Sequence, residues 1–173
     1  MLLRKYMTPG DRVLDFGGGS GVLAVAMSRV FDEVHVADPN SRDAAALCRH
    51  FERANVRIFE EKIEDFQPGQ PYDAVVAADV LEHFKDLRMP AGALRKVLRR
   101  DGLLFFSLPT ENWLYRLGRA IVRKKKPADH YHSADEVLTE LGQYGFSMVE
   151  SLMIPRIALP LPLFRVGVLR LTS

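Results

Sequence analysis

The residues best suited to chemistry in this 173-residue chain begin at Val13. There Val-Leu-Asp-Phe runs straight into Gly17-Gly18-Gly19-Ser20-Gly21, and an apolar helical pattern follows from Val22. Glycines at such a turn let the backbone pass close to a bound molecule and adopt dihedrals that side chains forbid. A dinucleotide fingerprint needs Gly-x-Gly-x-x-Gly. Gly17 and Gly19 fit it, but its third position is Val22. Asp15 precedes the glycines inside the strand, where a carboxylate disfavours a pyrophosphate and favours an ammonium group. S-adenosylmethionine (SAM) has no phosphate and carries an ammonium on its amino-acid end, so this turn suits it better than NAD. Asp38 closes Val34-His35-Val36-Ala37-Asp38 and suits the ribose hydroxyls of either cofactor.

A second group follows at Asp79-Val80-Leu81-Glu82-His83. His83 is the candidate base, able to take the proton that an oxygen acceptor loses on alkylation. No metal is required by that role. The spacing i, i+3, i+4 would nevertheless put Asp79, Glu82 and His83 on one helical face. With His130 or His132 they could hold a divalent ion such as Mg²⁺ or Mn²⁺. Further on, Trp113, Tyr115 and the basic residues Arg116, Arg119 and Arg123 to Lys126 could form an aromatic, basic rim for a planar or anionic acceptor, or meet a membrane surface. The apolar Leu159–Phe164 segment could touch a lipid or quinone.

The elements that must position these residues are legible as periodicities. Strands are expected at Arg12–Phe16, Glu33–Ala37, Val56–Phe59, Tyr72–Ala78 and Leu103–Leu108, alternating with helices at Val22–Val30, Ser41–Arg53 and Leu87–Arg99. Ser41 is a plausible cap for the second helix, and Asp101-Gly102 a turn into the fifth strand. Strands alternating with helices mean a parallel sheet with right-handed crossovers. Beyond it come a connection at Pro109–Pro127 with a short helix around Trp113–Val122, and a helix at Ala134–Tyr144 capped by Ser133 and Glu136. Two last strands, Phe146–Ile154 and Phe164–Leu171, look antiparallel. The expectation is a doubly wound, mostly parallel seven-stranded α/β sheet in a single domain over residues 1–173.

Taken together, VLDFGGGSG, VHVADPN, EKIEDF, YDAVVAADVLEHF and LRRDGLLFFSLP resemble, in order and spacing, the motif series of class I SAM-dependent methyltransferases, most closely the branch with the ubiquinone-pathway O-methyltransferases. The likeness is strongest over residues 11–110. It implies that Gly17 and Gly19 face the methionine part of SAM, with Asp15 reaching its ammonium group directly or through water. It implies that Asp38 holds the ribose, Ile63 offers its backbone N–H to the adenine, and Ala78 meets the ligand near the sulfonium. Two departures stand out. Lys62 occupies a position where many relatives carry an aspartate for the adenine amino group. Only about eleven residues precede the first strand, so the amino-terminal helices that usually close the site are short or missing. The implied activity is methyl transfer to a small-molecule acceptor such as a hydroxyl-bearing lipid, quinone or glycan precursor. A domain that binds SAM without catalysis, or an NAD-dependent oxidoreductase, are the alternatives.

Bulk composition narrows the classes. A hydrophobic content of 47% with 27% charged residues excludes a disordered chain, and a net charge of +2 gives no reason to expect nucleic acid. The single cysteine, Cys48, excludes an internal disulfide and reads as a buried, inert thiol. The longest apolar stretch, Leu152–Leu169, is interrupted by Arg156, Arg165 and three prolines, so no membrane span is expected and a cytoplasmic location is.

Overall fold

Tyr72–Ala78 is apolar on both faces because both faces are covered: it forms β4, a central strand of the sheet in the computed structural model. The structure describes residues 2–110, 130–155 and 162–172. Beside β4 lies β1 (Val13–Phe16), followed outward by β2 (Val34–Ala37) and β3 (Val56–Phe59), all parallel. On its other side run β5 (Leu98–Pro109), parallel to it, then β7 (Phe164–Leu171) and the edge strand β6 (Phe146–Ile154), both antiparallel to their neighbours. The order is β3-β2-β1-β4-β5-β7-β6, seven strands in one mostly parallel sheet.

Strand alternation divides the core into two layers. Leu14, Phe16, Val75, Ala77, Leu104 and Phe106 face α4 (Arg88–Val97) and α5 (Ala134–Gln143). Val13, Val34, Val36, Ala74, Val76 and Phe105 face α2 (Val22–Met27) and the four-residue α1 (Leu3–Tyr6). The third helix, α3 (Arg42–His50), packs on α2 and buries Ala44 and Cys48, whose thiol burial pushes above its usual pKa.

Three local expectations are corrected. Ser41 precedes α3 but makes no capping bond with its side chain, because its backbone is not in the extended conformation that aims the hydroxyl at the helix amides. The α4 helix stops at Val97 rather than Arg99, since Leu98 already pairs with Tyr72. The Asp101-Gly102 turn lies inside β5 as a bulge: Tyr72 pairs with Leu98 and Ala74 with Leu103, so the intervening residues loop out, with Asp101 at φ 61°. The Ser133–Glu136 capping box is present as expected. The helix expected around Trp113–Val122, the aromatic and basic residues of 113–126, and residues 159–161 lie outside the described residues. Among those described, no helix is long and apolar enough to cross a membrane.

Candidate active site

From β1 the sheet grows in both directions, toward β2 on one side and β4 on the other. At such a switch point the loops leaving the two halves diverge and open a crevice at the carboxyl ends of the strands. The glycine turn lies there. Gly17 donates its N–H to the Ala37 carbonyl (2.9 Å), which anchors the turn to the end of β2. Its φ is +70°, and a Cβ would strike the Val80 side chain. Gly21, at φ +79°, lets α2 start within reach of α3, since a Cβ there would lie 2.6 Å from Ala44 Cα. Gly19 differs: a Cβ would meet nothing nearer than the Gly17 carbonyl at 3.9 Å, so its outer side is open to a ligand.

Asp38, nearly buried, ties this turn to the loop after β2. Its Oδ2 accepts from the Gly19 N–H (2.9 Å) and its Oδ1 from the Asn40 N–H (2.6 Å). Each oxygen keeps a second lone pair for a ligand hydroxyl. Asp15 is 1% exposed and lies beneath the turn, close enough that a Cβ on Gly18 would sit 2.8 Å from its Oδ2. That oxygen has no hydrogen-bond partner. Burial first, and the Asp38 charge second, push its carboxyl up to about 7. When ionised, an acid under the loop repels a pyrophosphate, which weighs against the NAD alternative.

A cavity of about 340 Å³, within the range of small-molecule sites, brings Gly17, Asp38, Ile63 and His83 together. Phe16, Pro39, Val80 and Phe84 supply apolar walls, and Asn40, Lys62 and Glu64 polar ones. Asp15, Gly19 and Ala78 are not in its wall: Asp15 is buried beneath the glycine turn, and Ala78 ends β4 half-buried. A cavity of about 900 Å³ runs along α4 and residues 66–71 to the amino ends of β4 and β5, and shares Ile63 and Glu64 with the first. It contains none of the glycine turn, Asp38 or His83, so the smaller cavity is the one at the switch point.

The Asp79–His83 segment departs from one helical face. Asp79 takes φ 53° and accepts from the Ser107 hydroxyl (2.8 Å), and only Leu81–His83 forms a helical turn, of 3-10 type. Asp79 therefore points toward β5, apart from Glu82 and His83. His132 is also diverted, with Nε2 3.2 Å from the Lys85 carbonyl. His130 does arrive, helped by the Tyr131 N–H bonding the Glu82 carbonyl (2.9 Å). Its ring meets that of His83 edge-on at 4.6 Å, and ligand atoms of Glu82, His83 and His130 all lie within 4.8 Å of one another. Two imidazoles and a carboxylate form a donor set that suits a divalent ion.

Sequence reasoning missed the walls contributed by Val80, Phe84 and Asn40. Nothing in their types marks them; Val80 becomes visible only once it is seen to fill the space a side chain at Gly17 would need.

Comparison with known proteins places these features in a family setting. A family model described as a methyltransferase domain matches residues 2–151. The ubiquinone biosynthesis O-methyltransferase of Bradyrhizobium sp. (strain ORS 278) is 33% identical over 106 residues, 60% of this chain and 42% of that protein. That of Rhodopseudomonas palustris (strain HaA2) is 28% identical over 150 residues, 81% of this chain and 59% of that protein. The chain thus spans about half the length of these relatives. Among solved structures, the N-methyltransferase NodS from Bradyrhizobium japonicum WM9 superposes with a TM-score of 0.76 at 20% identity, covering 99% of this chain and 93% of that one. Magnesium protoporphyrin IX methyltransferase from Synechocystis PCC 6803 with bound S-adenosylhomocysteine gives 0.76 at 19% identity, over 99% and 78%. At that identity the likeness is one of fold.

Proposed function

Since the chain belongs to the methyltransferase domain family, we propose that residues 1–173 form one SAM-dependent methyltransferase domain acting on a hydroxyl oxygen of a small molecule. The observation that carries this is a cavity at the switch point walled by Gly17, Asp38, Ile63 and His83. SAM, when bound, supplies a methyl group already activated by its cationic sulfur. Asp38 accepts from the ribose hydroxyls with its remaining lone pairs. Ile63 presents its backbone N–H to the adenine, and Ala78 its backbone beside the sulfonium. Gly17 and Gly19 let the chain approach the methionine part, while the Asp15 carboxylate offsets the ammonium charge from below. His83 would take the proton of the acceptor hydroxyl, leaving its oxygen more nucleophilic toward the methyl group that SAM would supply. Holding the acceptor in line and excluding water supply several kcal/mol of rate enhancement, on the order of 7–11 where alignment is tight.

The oxygen acceptor follows from relatives whose names describe O-methyltransferases of ubiquinone biosynthesis. Calorimetry with S-adenosylhomocysteine, with NADH as control, tests the cofactor. Micromolar binding lost in Asp38→Ala and Gly17→Val supports the reading, and tighter binding of NADH would sink it.

One observation favours a second role for His83. Glu82, His83 and His130 are grouped closely enough to hold a divalent ion, which would lower the pKa of an acceptor hydroxyl by direct coordination. Calorimetric titration with Mn²⁺ separates the roles. Binding abolished by His130→Ala supports the ion; no binding leaves His83 as base alone.

A further inference from the structure

We propose that the cavity of about 900 Å³ along α4 is a second ligand site, built for a small organic phosphate with an apolar or aromatic body. It reaches the amino ends of β4 and β5, whereas the crevice lies at the carboxyl ends, so the proposal does not rest on the SAM reading.

Its charge is one-sided. Between Leu87 and Arg100 the chain carries five basic residues and no acid. The inner face of α4 buries Pro90, Ala91, Ala93, Leu94 and Val97, which leaves the cations outside. Four of them, Arg88, Lys96, Arg99 and Arg100, line the cavity against one carboxylate, Glu64. Arg88 and Arg99 are already committed. The first forms a two-point pair with Asp86 (3.0 and 2.8 Å), and the second meets Asp73 at 2.5 Å. Lys96 and Arg100 are exposed and, among the described residues, pair with no carboxylate. Two uncommitted cations on one cavity suit a dianion, and an ammonium beside a guanidinium suits phosphate.

The rest of the lining suits an apolar body. Phe66, Val97 and Leu98, all nearly buried, belong to it, and so does Tyr144. Arg88, Gly92 and Lys96 follow one another at i, i+4, i+8, a single row of α4 facing the cavity. A glycine inside a helix is costly relative to alanine. Packing does not demand this one: a Cβ would meet only Tyr144 Cε1, at 3.6 Å, an ordinary contact. Its absence keeps open the space between the two ends of the row, where a ligand can lie against the backbone of α4. A flat lipid surface would not enter such a recess, whose volume is that of a small-molecule site.

The test titrates the ¹⁵N-labelled whole chain with phenyl phosphate and follows amide shifts, with inorganic phosphate and phenol as part-ligands. Phenyl phosphate should saturate in the millimolar range, the scale for so small a ligand, with the Gly92 amide among those that move most. Each part-ligand should bind more weakly. The double variant Lys96→Ala/Arg100→Ala should weaken binding about tenfold, while Arg29→Ala, which removes an exposed cation elsewhere, should bind as wild type. Gly92→Leu fills the row and should abolish binding, with circular dichroism confirming its fold. Phenyl phosphate that binds no tighter than inorganic phosphate, or a double variant that binds like wild type, overturns the site. Binding confined to phosphatidylglycerol vesicles overturns it too, since the surface would then face lipid.

Discussion

Asp15 spends its life under the glycine turn with one oxygen unpartnered, and its carboxyl titrates near 7 because burial and Asp38 both disfavour the charge. Two consequences oppose each other. In the unfolded chain the group ionises near 3.8, so the empty folded state holds a proton the unfolded state has lost. That contribution to stability is complete below about 4 and is lost as pH rises through about 7, so that by pH 8 the folded state has forfeited a few kcal/mol relative to low pH. Asp15→Asn should therefore melt at higher temperature than wild type at pH 8. Only the ionised form, however, attracts an ammonium group. The affinity for S-adenosylhomocysteine should fall as pH drops from 8 to 6, by up to about tenfold per unit below the titration point, and Asp15→Asn should bind more weakly at pH 8 and without that slope. Calorimetry across this range decides it: a wild-type affinity flat from pH 6 to 8 would disprove a charge role for Asp15. Among the described residues, Cys48 on α3 and Asp38, just after β2, interact electrostatically with this carboxylate.

Between elements, two contacts hold the site's framework. His35 on β2 bonds the Tyr72 hydroxyl on β4 through Nδ1 (2.6 Å), while its Nε2 lies 3.1 Å from Glu33, which also pairs with Arg57 on β3. Burial keeps the ring neutral by lowering its pKa, and pushes the Tyr72 phenol up to about 12, so the phenol remains the donor. Tyr72→Phe leaves His35 Nδ1 buried without a donor and should cost about 1–2 kcal/mol in urea unfolding at pH 7; an unchanged midpoint would show that the bond contributes nothing. The second contact is the approach of α2 to α3 at Gly21. A methyl there meets backbone at 2.6 Å in a left-handed conformation, so Gly21→Ala should destabilise by about 2 kcal/mol or more. These contacts lie outside the cavity. Gly21→Ala protein that remains folded should keep its hydrogen bond between Asp38 and Gly19, and a variant as stable as wild type would mean that α3 yields.

For the whole molecule, the seven-stranded order places the diverging loops of β1, β2 and β4 around one crevice, and a ligand bound there links elements from residue 16 to residue 84. S-adenosylhomocysteine at 100 times its dissociation constant should thus stabilise the fold by about 2.7 kcal/mol, visible as a rise in melting temperature that NADH does not produce. An equal shift with NADH would point to a general adenosine site. Much of this architecture was legible along the chain. The alternation of apolar runs determined every strand nearly to its ends except the start of β5, which begins five residues before the expected Leu103. The run of glycines marked the turn at Gly17–Gly21, and the apolar-on-both-sides pattern of Tyr72–Ala78 marked the central strand, because period and backbone freedom are local properties. Tertiary structure alone decided that Asp15 is sealed below the cavity, that Asp79 turns to Ser107, that His130 rather than His132 meets His83, and that Glu64 rather than Glu61 reaches the cavity wall. Each of those depends on the path of chain segments distant in sequence, and on which side of a strand end or 3-10 turn faces the crevice, which residue spacing does not encode.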